Sequence, residues 1–392
     1  MLKSTWRNKM LKIQEFISKH KNWERMLSEK PYCLKISRDC GVVGFMYNML
    51  DSDFSEKIVQ EARGLWLYED TFEVACHSFD KFFNYGEEHA AKLDWDTVEV
   101  QEKIDGSLMK LWFNKRTQEW MLSTNGTIDS RKALTGDIIF PTFYDVFQEA
   151  LKNNGYTWES FTELFSKEIL NEQTYTFELV SPMTRVVIPY EKPDIYFIGG
   201  RANESGEEFS PRESLEYYVH IKTPKTFRIN TLEAAIEAAS KLPWDEEGYV
   251  AVDENFHRVK IKSSEWVKAH YVRNNNSITR AAIVDTILKG DQEEFLLYAA
   301  DYKSYLEDTQ NKMKQIYEML KNSFYTMMNI QQLTPKDYAQ IVQKQPRVVQ
   351  DYLFKFNNGA LAKSYLSNWS VNKWCDTIEQ FESTMEENNE RH

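Results

Sequence analysis

Lys103-Ile104-Asp105-Gly106-Ser107 places an amine beside a carboxylate and a glycine, between two segments that read as strands. A neutral lysine amine can attack the α-phosphorus of a nucleoside triphosphate and form a phosphoramide. Neighbouring cations and a metal ion favour that neutral form. The plainer alternative is a hairpin, because Asp-Gly between strands is a type I′ turn signal and the lysine would then be a solvated flank. Residues elsewhere in the chain bear on the choice. Thr176-Phe177-Glu178-Leu179-Val180 puts a carboxylate inside an apolar strand, and Glu247 immediately precedes the strand Gly248–Val252. Val259-Lys260-Ile261-Lys262 alternates two lysines onto one strand face. Upstream, Arg63-Gly64 and Phe79-Asp80-Lys81-Phe82-Phe83-Asn84 add two cations near aromatic rings. Taken singly, a strand glutamate or a K-x-K pair is ordinarily a solvated face. The ordered set is what points to a nucleotide.

These residues need rigid elements to hold them. Segments 42–47, 64–68, 97–101, 108–113, 119–122, 175–180, 195–199 and 248–252 are rich in β-branched and aromatic residues, as strands are. Met10, Ile13, Phe16, Ile17 and Trp23 recur at helical spacing across 7–28. Further helices are expected at about 139–153, 158–166 and 231–241. The mixture predicts an α+β domain of antiparallel sheets with flanking helices over 1–275. After 276 strand signals fade. Gly290 should end one helix and Asp291-Gln292-Glu293-Glu294 start another. Residues 304–325 keep a helical apolar period, and Thr334-Pro335 reads as an N-cap with proline at the first helical position. An all-helical domain over 276–392 is therefore expected.

The chain has 392 residues, 48 Lys+Arg, 60 Asp+Glu and a formal charge of −12. That balance argues against coating nucleic acid by bulk charge, though not against a local basic site. With 14% aromatic residues and only 14 Gly and 10 Pro, disordered and collagen-like classes are excluded. Cys33, Cys40, Cys76 and Cys375 are scattered without a CxxC pair, which suits reduced thiols in a cytoplasmic protein. No apolar run approaches a membrane span.

The ordered set resembles the covalent nucleotidyltransferases, and within them the phage RNA ligase 1 family, the ATP-dependent tRNA-repairing ligases of T-even phages. The resemblance covers about residues 30–275. It rests on Ala62-Arg63-Gly64, Lys81-Phe82-Phe83-Asn84, Lys103–Ser107, Phe177–Pro182 with Arg185-Val186-Val187, Arg201–Glu207, Glu247–Val252 and Lys260–Ser263. It implies that Lys103 is the adenylylated nucleophile and that Gly106 lets the backbone approach the nucleotide. Asp105, Glu178 and Glu247 would serve a Mg²⁺ ion, or Mn²⁺ in its place, with Glu178 also near the ribose. Lys260 and Lys262 would contact phosphates, Arg63 and Lys81 would hold the β- and γ-phosphates, and Tyr47 and Phe83 would line the pocket. One departure stands out: the family often carries Lys or Arg where this chain has Asn125.

The implied reaction has three steps: lysyl-AMP formation from ATP, transfer of AMP to an RNA 5′-phosphate, and attack by a 3′-hydroxyl with release of AMP. The implied substrate is tRNA broken in its anticodon loop, sealed by a monomer after a separate end-healing enzyme has acted. Residues 312–373 hold nine Lys+Arg against three acids, so Lys344, Arg347, Lys355 and Lys363, among Tyr352, Phe354, Phe356, Tyr365 and Trp369, are candidate RNA contacts. The alternatives are a DNA ligase or mRNA capping-type enzyme, which the helical C-terminus and the K-F-F-N segment disfavour, and a catalytically silent RNA-binding relative.

Overall fold

The computed structural model describes residues 10–166, 170–211, 221–271, 278–290, 292, 295–296, 299–329, 334–345, 349–350, 352–354 and 369–389. The chain divides into two compact units, Met1–His270 and Tyr271–His392.

Three sheets build the first unit. One has strands β1 (Lys35–Asp39), β2 (Val42–Met46), β3 (Arg63–Tyr68) and β4 (Val74–Cys76), in that order. The second joins β5 (Phe83–Asn84), β6 (Glu99–Glu102), β12 (Thr226–Phe227), β13 (Gly248–Val252) and β14 (Arg258–Lys262) in the order β12-β6-β13-β14-β5. The third joins β7 (Ser107–Asn114), β8 (Glu119–Thr124), β9 (Gln173–Val180), β10 (Asp194–Ala202) and β11 (Glu208–Phe209) as β11-β10-β9-β7-β8. Every described strand pairing is antiparallel except β5 with β14.

Each sheet buries one face under helices, and that leaves the other face for the site. Helices Lys12–Lys19, Trp23–Leu27 and Lys57–Glu61 place Ile13, Ile17, Trp23, Leu27, Ile58 and Val59 on the first sheet, against Val43, Phe45, Leu65 and Leu67. Helices Phe143–Asn153 and Trp158–Glu163 cover the third through Val146, Phe147, Leu151 and Phe161, against Met109, Leu111, Tyr175, Phe177 and Leu179. Truncating the fully buried Phe161 to alanine should cost about 3–5 kcal/mol. Helix Leu232–Ser240 covers the second sheet, with Ala235 and Ala239 against Val100, Tyr249, Ala251, Val259 and Ile261. Because strand side chains alternate, residues of opposite parity point the other way: Leu108, Lys110 and Trp112 on β7, Thr174, Thr176 and Glu178 on β9, Lys260 and Lys262 on β14. The inner faces of the first and third sheets meet through Trp66, Tyr68 and Cys76 against Trp112 and Met121.

The α+β architecture agrees with the sequence; several details differ. The helix expected over 7–28 is two helices, because the chain turns extended at His20 (φ −128°, ψ 111°) before Trp23. The helix expected from 139 begins at Phe143, where the Thr142 side chain accepts from Asp145 N. The possible hairpin at Lys103–Ser107 does not form: β6 and β7 belong to different sheets, so the segment is a crossover between them.

The described residues of the second unit contain helices Arg280–Lys289, Lys303–Asn329, Pro335–Val342 and Val371–Asn389 and no strand. Gly290 adopts φ 71° and ends the first, as expected; the expected start signal at Asp291, Glu293 and Glu294 falls outside the described residues. Thr334 accepts from Asp337 N ahead of Pro335. Its buried apolar residues include Ile283, Ile287, Leu306, Met313, Ile316, Leu320, Trp374 and Ile378.

Candidate active site

Lys103 continues β6 past its last paired residue, its backbone N–H donating to Gly248 O at 2.9 Å. Its ammonium lies 2.6 Å from Glu247 Oε1, and Lys262 Nζ stands 4.0 Å from the same oxygen. Glu247 is buried, and Ser263 N donates to its carbonyl at 2.8 Å, so the strand pair β13–β14 fixes both carboxylate and lysine. Lys260 shares the face of Lys262, and its Nζ lies 5.2 Å from the centroid of Phe82.

The third sheet closes the opposite side. Glu178, opposite Leu108 on β7, is pushed up to about 7, first by burial and then by the nearby Glu247 and Asp105 carboxylates, with the charges of Lys103 and Arg63 opposing. Asp105 is buried and its Oδ2 accepts from Val187 N at 2.9 Å and Ile188 N at 2.7 Å. The acid therefore ties the crossover to the 185–188 loop, and Oδ1 remains for other partners. Gly106 has a packing reason of its own. A Cβ there would stand 2.5 Å from Leu179 O and 3.0 Å from Glu178 Cγ, so glycine permits the crossover to lie against β9.

The first sheet contributes Arg63. Its guanidinium lies 5.2 Å from the Phe82 ring, so Phe82 carries Arg63 and Lys260 together. Arg63 Nη1 is buried without a hydrogen-bond partner. A buried charged donor left open is costly unless an anion completes it. Lys81 Nζ stands 5.7, 5.4 and 5.5 Å from the centroids of Tyr47, Phe54 and Phe83, and Lys81 N donates to Gln60 O at 2.8 Å. The rings hold the ammonium by cation–π attraction and leave its hydrogens for acceptors.

Lys103, Asp105, Glu178, Glu247, Lys262 and Arg63 thus meet in one charged cluster, with Lys260 joined through Phe82. Beside it, the Lys81 ammonium of the K-F-F-N segment sits among the rings of Tyr47, which follows β2, Phe54 and Phe83. Among the described residues no three His, Cys, Asp or Glu side chains close into a metal cage. Of the candidate RNA contacts, Lys344 is exposed, and Arg347, Lys355 and Lys363 lie outside the described residues. Tyr352 is core and Phe354 is exposed, while Phe356 and Tyr365 are not described. Lys312, counted in the basic stretch, is committed to Asp308 at 2.6 Å and Glu382 at 2.7 Å.

Sequence reasoning passed over Phe82, the ring both cations share. It also passed over a second charged cluster. His77 Nε2 and Arg201 Nη1 each lie 3.2 Å from Asp80 Oδ1, Lys57 pairs with Asp80 at 2.5 Å, Arg201 binds Glu208, and Arg258 reaches Glu208 at 2.6 Å. Burial, then the Arg201 charge, pushes His77 down to about 4. Asp80 is held well below its usual range, because the His77 hydrogen bond and the Arg201 charge outweigh burial. Asn203 donates to Ala75 O at 2.9 Å and accepts from Thr174 at 2.7 Å. The Arg201–Glu207 stretch therefore bolts the first sheet to the third. The signal for it was the spacing of Arg201, Asn203 and Glu208 on one hairpin.

A family model described as RNA ligase matches residues 61–266, just over half of the chain. The chain belongs to this RNA ligase family. Within it, a putative bifunctional polynucleotide kinase/RNA ligase of Autographa californica nuclear polyhedrosis virus is 29% identical over 67% of this chain and 38% of its own length. An RNA ligase of Rhodothermus phage RM378 is 26% identical over 64% of this chain and 67% of its own. The chain thus spans well under half of the baculovirus relative. A solved archaeal ATP-dependent RNA ligase superposes with a TM-score of 0.43 at 13% identity, over 86% of this chain and 95% of that one. Among the described residues no helix is long and apolar enough to cross a membrane.

Proposed function

We propose that this RNA ligase family member is an ATP-dependent enzyme that seals RNA 3′-hydroxyl to 5′-phosphate ends. The observation that carries the reading is Lys103 held 2.6 Å from Glu247 among Arg63, Lys262 and Glu178, with Arg63 Nη1 buried and open. In the first step Lys103 Nζ attacks the α-phosphorus of ATP. The N–P bond forms, the bond to pyrophosphate breaks, and Glu247 Oε1 is the nearest acceptor for the ammonium proton. The 5′-phosphate of RNA then takes AMP from Lys103, and the 3′-hydroxyl displaces AMP from that activated phosphate. Arg63, Lys81, Lys260 and Lys262 bear the phosphate charge, and Tyr47 and Phe83 line the nucleotide pocket.

Mg²⁺, or Mn²⁺ in its place, commonly binds through one or two carboxylates plus substrate phosphates; Glu178 and Glu247, with Asp105 serving its waters, suit that mode. The ion would supply charge stabilisation on the phosphoryl oxygens. The decisive test is retention of label after incubation with [α-³²P]ATP and Mg²⁺ followed by denaturation. Wild-type protein should keep the label and Lys103→Ala should keep none; label on Lys103→Ala overturns the assignment.

The finer substrate, tRNA broken in the anticodon loop, is supported by the sequence resemblance and by the charge of the 312–373 stretch. We assign end healing to a separate kinase-phosphatase activity; the baculovirus relative's name couples a polynucleotide kinase to an RNA ligase. On this reading the protein works as a monomer in the host cytoplasm. A cleaved anticodon stem-loop should be sealed faster than a generic single strand, and a nicked DNA duplex hardly at all. Replacing Lys344, Arg347 and Lys355 by alanine should lower the salt slope of tRNA binding by about 2–3. An unchanged slope removes that patch from the RNA site.

A further inference from the structure

Lys110 is fully buried in β7, and none of the roles above uses it. Register places it between Thr176 of β9 and Ser123 of β8, one step along the inner face from Leu108 and Glu178. Its ammonium donates to Gly64 O and lies 4.0 Å from the centroid of Trp66. A Cβ on Gly64, whose φ is 69°, would stand 2.8 Å from Lys110 Nζ and 2.4 Å from Asn125 O. The ammonium, the Arg63-Gly64 peptide and the Asn125 backbone carbonyl therefore meet at one point.

Among the described residues no carboxylate pairs with Lys110. A carbonyl and a ring face only partly offset the cost of burying an ammonium, and a methionine of similar volume would pack there more cheaply. Burial, with the like charge of Arg63 adding and Cys76 opposing, pushes Lys110 down to about 8. Three neighbouring groups are also incomplete: Arg63 Nη1, Asn125 Oδ1 and Thr176 Oγ1 are buried without hydrogen-bond partners. Ser123 differs, since its hydroxyl serves Trp112 Nε1 and Ile128 O. Two of these, Arg63 Nη1 and the Thr176 hydroxyl, can donate, and open donors beside two like charges are what an anion site looks like before its ligand arrives.

We propose that Lys110 is a positioning residue of the nucleotide site, whose charge behind the Arg63-Gly64 peptide draws triphosphate to Arg63 and supplies the positive potential that the neutral Asn125 lacks. It acts through Arg63 and Gly64 rather than by touching the reacting atoms. The inference rests on ATP binding at Arg63 and Lys103, so binding and chemistry are measured apart.

ATP binding is titrated calorimetrically in a Lys103→Met background, which cannot form the adduct; adduct formation by wild-type protein tests the underlying reading separately. Adding Lys110→Met should weaken ATP about tenfold while leaving the melting temperature equal or higher. Lys110→Gln, which keeps a donor for Gly64 O but not the charge, should weaken ATP as much. Adding Asn125→Lys to the Lys110→Met protein should bring the affinity back to within about threefold of the starting protein, because the new charge stands on the residue whose backbone adjoins the Arg63-Gly64 peptide. Unchanged ATP affinity in Lys110→Met overturns the proposal. So does wild-type affinity in Lys110→Gln, which would assign the effect to the hydrogen bond, and so does failure of Asn125→Lys to rescue. Should Lys110→Met fail to fold, Lys110→Gln and its Asn125→Lys rescue decide by the same criteria.

Discussion

Two buried charged clusters lie in the same unit and differ in one respect. In the cluster of Asp80, Arg201, Glu208 and Arg258, with Lys57 at its solvent edge and the neutral His77 beside it, each charged member has a partner of opposite sign, although Arg201 Nε and Glu208 Oε2 lack hydrogen-bond partners. Around Lys103 the pairing is unfinished: Lys103 and Lys262 share Glu247, Arg63 Nη1 is open, and among the described residues no carboxylate pairs with Lys110. A closed network contributes shape, since removing any member strands its partner in a low-dielectric interior. An open one keeps its field for a ligand. The first bolts two sheets together, and the second lies where sheets face each other.

Substitutions should separate the two. Arg63→Met, in the open cluster, should lower the rate of adduct formation about 10²–10³-fold, read with labelled ATP, and leave urea unfolding within about 1 kcal/mol of wild type. Arg201→Met, in the closed cluster, should do the reverse. It strands Glu208 and Asp80 and should cost about 3–5 kcal/mol by urea denaturation, with ATP affinity of the folded fraction within about threefold. Equal stability losses in the two variants would erase the distinction.

Glu178→Gln sharpens it through pH. The folded Glu178 carboxyl sits near 7, above its ordinary 4.5. The folded state therefore binds more protons between those values, and this group costs stability as pH rises from about 4.5 to 7. Glutamine removes that cost. Melting temperature should rise by roughly 2–4 °C at pH 8 and not at pH 4, while adduct formation falls. A gain of equal size at both pH values would mean that the charge is not the cause. The smallest effect is expected at His77, which burial keeps neutral near pH 7. Melting of a His77→Gln protein should track wild type above about pH 7 and gain on it as pH falls from about 6.5 to 4, because there the unfolded imidazole binds a proton that the buried ring does not.

Most strands were legible, because β-branched and aromatic runs with period-two alternation mark them locally. Glu178 and the Lys260–Lys262 pair were legible as candidates for the same reason: a charge inside an apolar strand breaks the alternation. The pairing of those strands was not. Asp105-Gly106 carries a hairpin signal that spans four residues, whereas β6 bonds to β13 and β7 to β9 across much longer separations. Lys110 looked like an ordinary strand lysine, since parity says that it shares a face with Leu108 and Trp112 but not what that face meets. Phe82 and Phe83 are neighbours of one type, and only the packing shows that Phe82 joins the cations while Phe83 turns toward Lys81 and Phe54.

By itself the sequence determined the chemistry available to this protein: one lysine beside an acid and a glycine, then two carboxylates and a lysine pair in order along the chain. It also determined that a helical unit comes after a sheet-rich one, because both periods are local properties of the chain. The tertiary structure decided which of those charges face each other. Burial and pairing depend on the neighbours that other strands bring, and those neighbours made Arg201 a bolt, left Arg63 open, and set Lys110 behind it.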